Sequence, residues 1–145
     1  IWRARKSFAE AVRAESLIVC KEDVVAPVDK EPQLLHEILL LAKKYNLITR
    51  IASHAGDGNV HLNIIKNEDL SYEAWDKNVK DMQQELYKTI YALGGRLSGE
   101  HGIGRGKIKY LAQAAGDTNI ALMQGIKAVF DPKMILNPGK IFPMP

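Results

Sequence analysis

Apolar residues recur every three or four positions through two long stretches of the chain and every second position through several short ones, which predicts a mixed α+β protein. After Asp29 and Pro32, the residues Leu34, Leu35, Ile38, Leu39, Leu41, Ala42 and Tyr45 form a helical stripe. Lys43 and Lys44 fall in its last turn, where cations suit the helix dipole. A longer helix carries Tyr72, Trp75, Val79, Met82, Leu86, Ile90 and Leu93 behind a Ser71 cap and stops at Gly94-Gly95. The β-branched run over 17–25 reads as a strand ending before Pro27, with Leu17, Val19, Lys21 and Asp23 on one face. Residues 47–54 and 59–65 read as two more strands joined through Ala55-Gly56-Asp57-Gly58.

At the ends the pattern is thinner. Trp2, Phe8 and Val12 among Arg3, Arg5, Lys6 and Arg13 predict a short basic helix over 1–14. Residues 96–99 suit a short fourth strand, 105–115 and 117–130 two further helices, and the Pro-rich segment 136–143 an extended arm. The order β, α, β, β, α, β over 17–99 is the split βαβ, or ferredoxin-like, arrangement: an antiparallel sheet with helices on one face, plus additional C-terminal helices. The expected organisation is a single domain over 1–145, with its core in 17–99 and a helical and extended tail in 105–145.

Composition narrows the class. With 145 residues, 46% hydrophobic and 26% charged, the chain has ordinary globular usage and no stretch of about 18 apolar residues. A transmembrane or disordered chain is therefore excluded. A net charge of +3 is too small to argue for nucleic acid. Cys20 is the only cysteine, which excludes an internal disulfide and a cysteine-rich zinc site and points to a reducing compartment. The expected location is the cytoplasm, with peripheral attachment to the inner face of the membrane as a variant. The start at Ile1-Trp2, with neither Met nor an apolar signal core, leads to the expectation of a fragment without a visible targeting sequence.

Two constellations carry candidate chemistry. If Asp57 and Gly58 form a two-residue turn, His54 stands opposite His61, Ile51 opposite Ile64 and Ser53 opposite Leu62. Ile51, Val60, Leu62 and Ile64 then face the helices, while His54, His61 and Asn63 occupy the other face. Two imidazoles so placed suit a shared cation; two ordinary solvent-facing histidines are an equal alternative. The second constellation is the glycine-rich run 94–107, with Glu100 beside His101. It lacks the Walker spacing, since His101 and Ile108 occupy positions that need Gly and Ser or Thr, and GxGxxG also fails. Glu100 suits metal ligation and His101 proton transfer; a plain helix-initiating loop is the alternative.

The segments His54-Ala55-Gly56-Asp57-Gly58-Asn59-Val60-His61, Gly99-Glu100-His101-Gly102-Ile103-Gly104 and 131–140, ending in Asn137-Pro138-Gly139-Lys140, resemble in this order the C-terminal domain of FAD-linked oxidases of the vanillyl-alcohol oxidase superfamily. The branch is that of D-lactate dehydrogenases, D-2-hydroxyglutarate dehydrogenase and the glycolate oxidase flavoprotein subunit. The resemblance spans essentially the whole chain and implies a ferredoxin-like sheet with added helices. It further implies His54, His61 and Glu100 as ligands of a divalent metal, zinc or manganese, and His101 as the base taking the substrate hydroxyl proton. Asn63, Lys21 and Arg5 match substrate-holding positions, and Asn137 and Lys140 match a segment that returns toward the flavin. Ser53 stands where relatives often carry Gly.

The implied activity is oxidation of a D-2-hydroxy acid, such as glycolate or D-lactate, to the 2-oxo acid. FAD would be bound mainly by a domain absent from this chain, so the fragment alone should be inactive. Implied partners are that FAD-binding domain, the small hydroxy acid, and an electron-transfer partner or a second copy of the chain. An autonomous metal-dependent hydrolase using the same His/His/Glu set is the alternative, although no HExxH helix is present. A nucleic-acid binder would need aromatic residues on the open sheet face, and the strands over 17–25 and 59–65 contain none.

Overall fold

The computed structural model describes residues 2–143, the side chains of Ala4 and Arg5 excepted. The chain forms two compact units, Ile1–Gly99 and Glu100–Pro145. The first contains α1 (Trp2–Glu15), β1 (Val19–Val25), α2 (Glu31–Lys44), β2 (Ile48–His54), β3 (Asn59–Ile65) and α3 (Tyr72–Ala92). Its three strands are ordered β1-β3-β2, and β3 runs antiparallel to both neighbours. β1 and β2 are therefore parallel, as α2 between them in the chain requires.

Of the predicted fourth strand only one residue remains. Arg96 makes an isolated antiparallel bridge to Val25, with amide-to-carbonyl distances of 3.2 and 2.8 Å. The chain then bends so that Leu97 is buried and the Ser98 hydroxyl turns to a side chain of β1. The bridge lies on the free edge of β1, so the strand order still follows the split βαβ pattern.

Alternation divides the sheet. Val60, Leu62 and Ile64 of β3 are fully buried on one face, with Val24 of β1, Leu34 and Ile38 of α2, and Met82, Leu86 and Ile90 of α3. Glu22 is also buried on this face, where Gln83 and the Tyr87 hydroxyl donate to its carboxylate at 2.6 and 2.8 Å. A buried carboxylate is tolerated because both oxygens have donors. Ser71 caps α3 by accepting from the Ala74 amide at 3.2 Å. At the other end of the layer Lys44 and Tyr45 both donate to Glu85, which holds the Glu85 carboxyl below its ordinary range. The apolar stripes of α2 and α3 thus meet the apolar face of the sheet, as their spacing predicts.

The hairpin differs from the sequence expectation. Its loop is the four residues 55–58, and the register pairs His54 with Asn59, Ser53 with Val60, Ile51 with Leu62 and Ala52 with His61. The His54 carbonyl accepts the amides of Asp57 and Gly58 at 3.0 and 3.1 Å, and Asp57 Oδ1 accepts the Asn59 amide at 3.1 Å. These bonds satisfy a wider turn in which Ala55 and Gly56 take part, so His54 is not directly opposite His61. The shift is by two residues, which preserves the face of every side chain. Ser53 keeps the helix-side face but is exposed near the hairpin end.

The second unit is dominated by α4 (Ile108–Phe130), interrupted at Gly116, whose φ of 74° is non-helical. The two helices expected over 105–115 and 117–130 are thus the two limbs of this element. After α4 the Asp131 carboxylate accepts the amides of Ile135 and Leu136 at 3.0 and 2.9 Å and an ion pair from Lys127. The irregular tail returns to the glycine loop, where the Ile141 amide donates to Gly104 O at 2.8 Å and Arg105 donates to Pro138 O at 3.2 Å. Among the described residues no helix is long and apolar enough to cross a membrane.

Truncating Leu62, which is fully buried on the central strand, is expected to destabilise the protein by about 2–5 kcal/mol in urea unfolding. A loss below about 1 kcal/mol would contradict its place in the core. Asp131 is held below its ordinary value of 3.8, chiefly by the Lys127 hydrogen bond and then by the two amides. A depressed carboxylate stabilises above its unfolded value and loses that contribution as pH falls through the lower folded value. The melting-temperature gap between wild type and Asp131→Ala should therefore be constant at neutral pH and narrow progressively as the pH falls through the ordinary value of 3.8 and below it.

Candidate metal centre

The face of the sheet turned away from α2 and α3 carries the candidate chemistry. The register puts Lys21 and Asp23 of β1, Arg50, Ala52 and His54 of β2, and Asn59, His61 and Asn63 of β3 on it. His61 lies between Asp23 and Ala52; Asn63 lies between Lys21 and Arg50. His54 is diagonal to His61, and the two rings meet edge to face with centroids 5.2 Å apart at 82°. Both are half-buried. Two imidazole nitrogens on one face at this separation are a donor set that suits zinc or manganese, so these residues fit the implied cation.

An acid that sequence reasoning did not single out completes this end of the face. Asp23 is only 1% exposed, its Oδ1 is 3.7 Å from His61 Nδ1, and the Ser98 hydroxyl donates to its Oδ2 at 2.8 Å. Its placement beside Lys21 on the open face was legible from alternation, whereas its burial and its pairing with position 61 needed the register. Asn59, opposite His54, is also buried. A Cβ added to Gly99 would stand 2.3 Å from Asn59 Oδ1, so a side chain at position 99 would have to displace the Asn59 amide.

The other end of the face is cationic. Lys21 is exposed, Asn63 Nδ2 donates to Arg50 O at 3.4 Å, and Arg50 donates to both oxygens of Glu15 at the end of α1. Lys21 and Asn63 are thus brought side by side, with Arg50 as a further cation that sequence reasoning missed. Arg5 belongs to α1, but its side chain lies outside the described residues.

In the second unit Glu100 and His101 are both exposed, with Glu100 Oε1 3.6 Å from His101 Nε2. Asn137 and Lys140 are tied to each other, the lysine Nζ donating to Asn137 Oδ1 at 3.1 Å. Asn137 has a φ of 49° in this turn, a conformation that asparagine tolerates better than most residues.

A split βαβ sheet that devotes its covered face to packing and its open face to paired histidines and cations defines the class of domain. The chain belongs to the family described as FAD linked oxidases, C-terminal domain, which it matches over residues 1–141. It is similar to a D-lactate dehydrogenase of Anaerostipes hadrus, with 39% identity over 97% of this chain and 29% of the relative. It is also similar to a D-2-hydroxyglutarate dehydrogenase of Stutzerimonas stutzeri, with 33% identity over 98% of the chain and 31% of the relative. A third relative, glycolate oxidase subunit GlcD of Bacillus subtilis, is 34% identical over 96% of the chain and 29% of its own length. The chain therefore spans less than a third of the length of these relatives.

The contact between Gly99 and Asn59 gives a direct test. Gly99→Ala should destabilise the protein by about 1–3 kcal/mol through overpacking, and Asn59→Ala added to it should recover part of that loss. Additive losses in the two variants, read from thermal unfolding, would show that the contact is not the cause.

Proposed function

We propose that this domain is the substrate- and metal-binding part of an FAD-dependent dehydrogenase or oxidase that converts a D-2-hydroxy acid, such as D-lactate or glycolate, to the 2-oxo acid. The observation that carries the reading is the His54 and His61 pair on the open face of the sheet, with ring centroids 5.2 Å apart. Membership in the FAD linked oxidase family supports it, and the three relatives are all named for 2-hydroxy acids or their oxidation.

His54, His61 and Glu100 would hold a divalent zinc or manganese ion, an N, N, O donor set that leaves further positions open. The cation, when bound, would acidify a ligated hydroxyl, and FAD held chiefly by a separate domain would accept the C2 hydrogen with both electrons as hydride. His101 would take the hydroxyl proton, a role suited to a neutral imidazole, which has a ring nitrogen free to accept one. The remaining side chains would bind and orient the acid. Lys21 supplies an exposed cation for a carboxylate, Asn63 beside it supplies an amide, and Arg5 is a second cation for the same group. Asn137 and Lys140 would contact the flavin side of the site.

Elemental analysis of the full-length protein, purified without an affinity tag, tests the reading. Near-stoichiometric divalent metal is expected in wild type and its loss in His54→Ala and Glu100→Ala. His101→Ala should keep the metal while turnover of D-lactate or glycolate falls by about 10²- to 10⁴-fold, the usual contribution of a general base. Full metal and full activity in all three variants would remove the assignment.

A further inference from the structure

Asp23 is a carboxylate in the middle of β1 that the proposed chemistry leaves without a task. It is 1% exposed, and burying a carboxylate is costly unless its oxygens are engaged. Ser98 Oγ donates to Oδ2 at 2.8 Å, and Oδ1 faces His61 Nδ1 at 3.7 Å. That separation is an ion-pair distance, longer than a hydrogen bond, so the carboxylate acts on the ring through its charge.

We propose that Asp23, itself oriented by Ser98, is the positioning residue of His61: it keeps the proton on Nδ1 and so leaves the Nε2 lone pair to ligate the cation. The inference rests on the metal reading above and names the group that prepares one of its ligands. A negative charge beside one ring nitrogen favours the tautomer with its proton there, and ligating histidines commonly have a carboxylate in that place. The geometry favours this role over a mere tie between β1 and the chain at 96–99. A tie would need only the Ser98 bond, whereas the second oxygen is turned to the imidazole that pairs with Asp23 across β1 and β3. Ser98 supplies the complementary restraint, because a hydroxyl on Oδ2 limits rotation of the carboxylate and keeps Oδ1 on the histidine.

Two readouts test it in the full-length protein. In metal-stripped samples labelled with nitrogen-15 histidine, at about pH 8, the His61 signals are identified by their loss in His61→Ala. Wild type should show the proton on Nδ1, and Asp23→Asn should show a mixture of both tautomers. Zinc affinity by chelator competition should fall about 10- to 100-fold in Asp23→Asn and less in Ser98→Ala. Unchanged tautomer and unchanged zinc affinity in Asp23→Asn would overturn the proposal, even if thermal stability fell, because only the tie would then remain. If Asp23→Asn does not fold, Ser98→Ala decides: a weakened zinc affinity or a tautomer shift supports the role, and neither change overturns it. If wild type binds no zinc, the metal reading fails separately, and the metal-free tautomer comparison still decides whether Asp23 sets the proton on His61.

Discussion

The central strand β3 is the constraint on which the first unit depends. It is hydrogen-bonded on both edges, so every side chain must project to one face or the other with no freedom to swap. Val60, Leu62 and Ile64 go to the helices and are fully buried, which commits Asn59, His61 and Asn63 to the opposite face. The drive to bury three apolar side chains is thus also what presents the histidine and the two amides. Backbone alternation thus couples the packing of one face to the polar character of the other.

The two faces handle buried charge in different ways. On the helix side, Glu22 is enclosed and satisfied by Gln83 and Tyr87, which links β1 to α3. One residue later, Asp23 is enclosed on the other side, between Ser98 and His61. Adjacent acids in one strand therefore serve opposite layers, one engaged by neutral donors and the other by a hydroxyl and an imidazole. Farther along the same face, Lys21 and Arg50 flank Asn63, so the open face grades from acid and histidine to cation. Arg50 is held by Glu15, which ties α1 to the cationic end. In the second unit the tail is organised by one acid: Asp131 gathers Lys127 and the amides of Ile135 and Leu136 where helical hydrogen bonding stops.

Much of this was legible in the sequence because it depends on period alone. The stripes of α2 and α3, the strands, the break at Gly116 and the side of the sheet taken by His54, His61 and Asn63 follow from local spacing and turn residues. The motifs around His54, Glu100 and Asn137 likewise carry the likeness to the family within the sequence itself. What local patterns did not determine was register. The sequence Asp57-Gly58 suits a two-residue turn, but the His54 carbonyl and the Asp57 carboxylate satisfy a wider one, which moves His61 opposite Ala52. Parity survived that shift because it was by two residues.

Only the tertiary structure decided the burial of Asp23 and its alignment with His61 and Ser98, because those residues come from three separate segments. It also decided that the fourth strand shrinks to the Arg96 bridge, after which Leu97 is buried and the Ser98 hydroxyl turns to Asp23. Sequence by itself determines which residues share a face, because alternation is a property of the backbone. Which residues meet across strands is decided by hydrogen-bond partners and packing that no single segment contains.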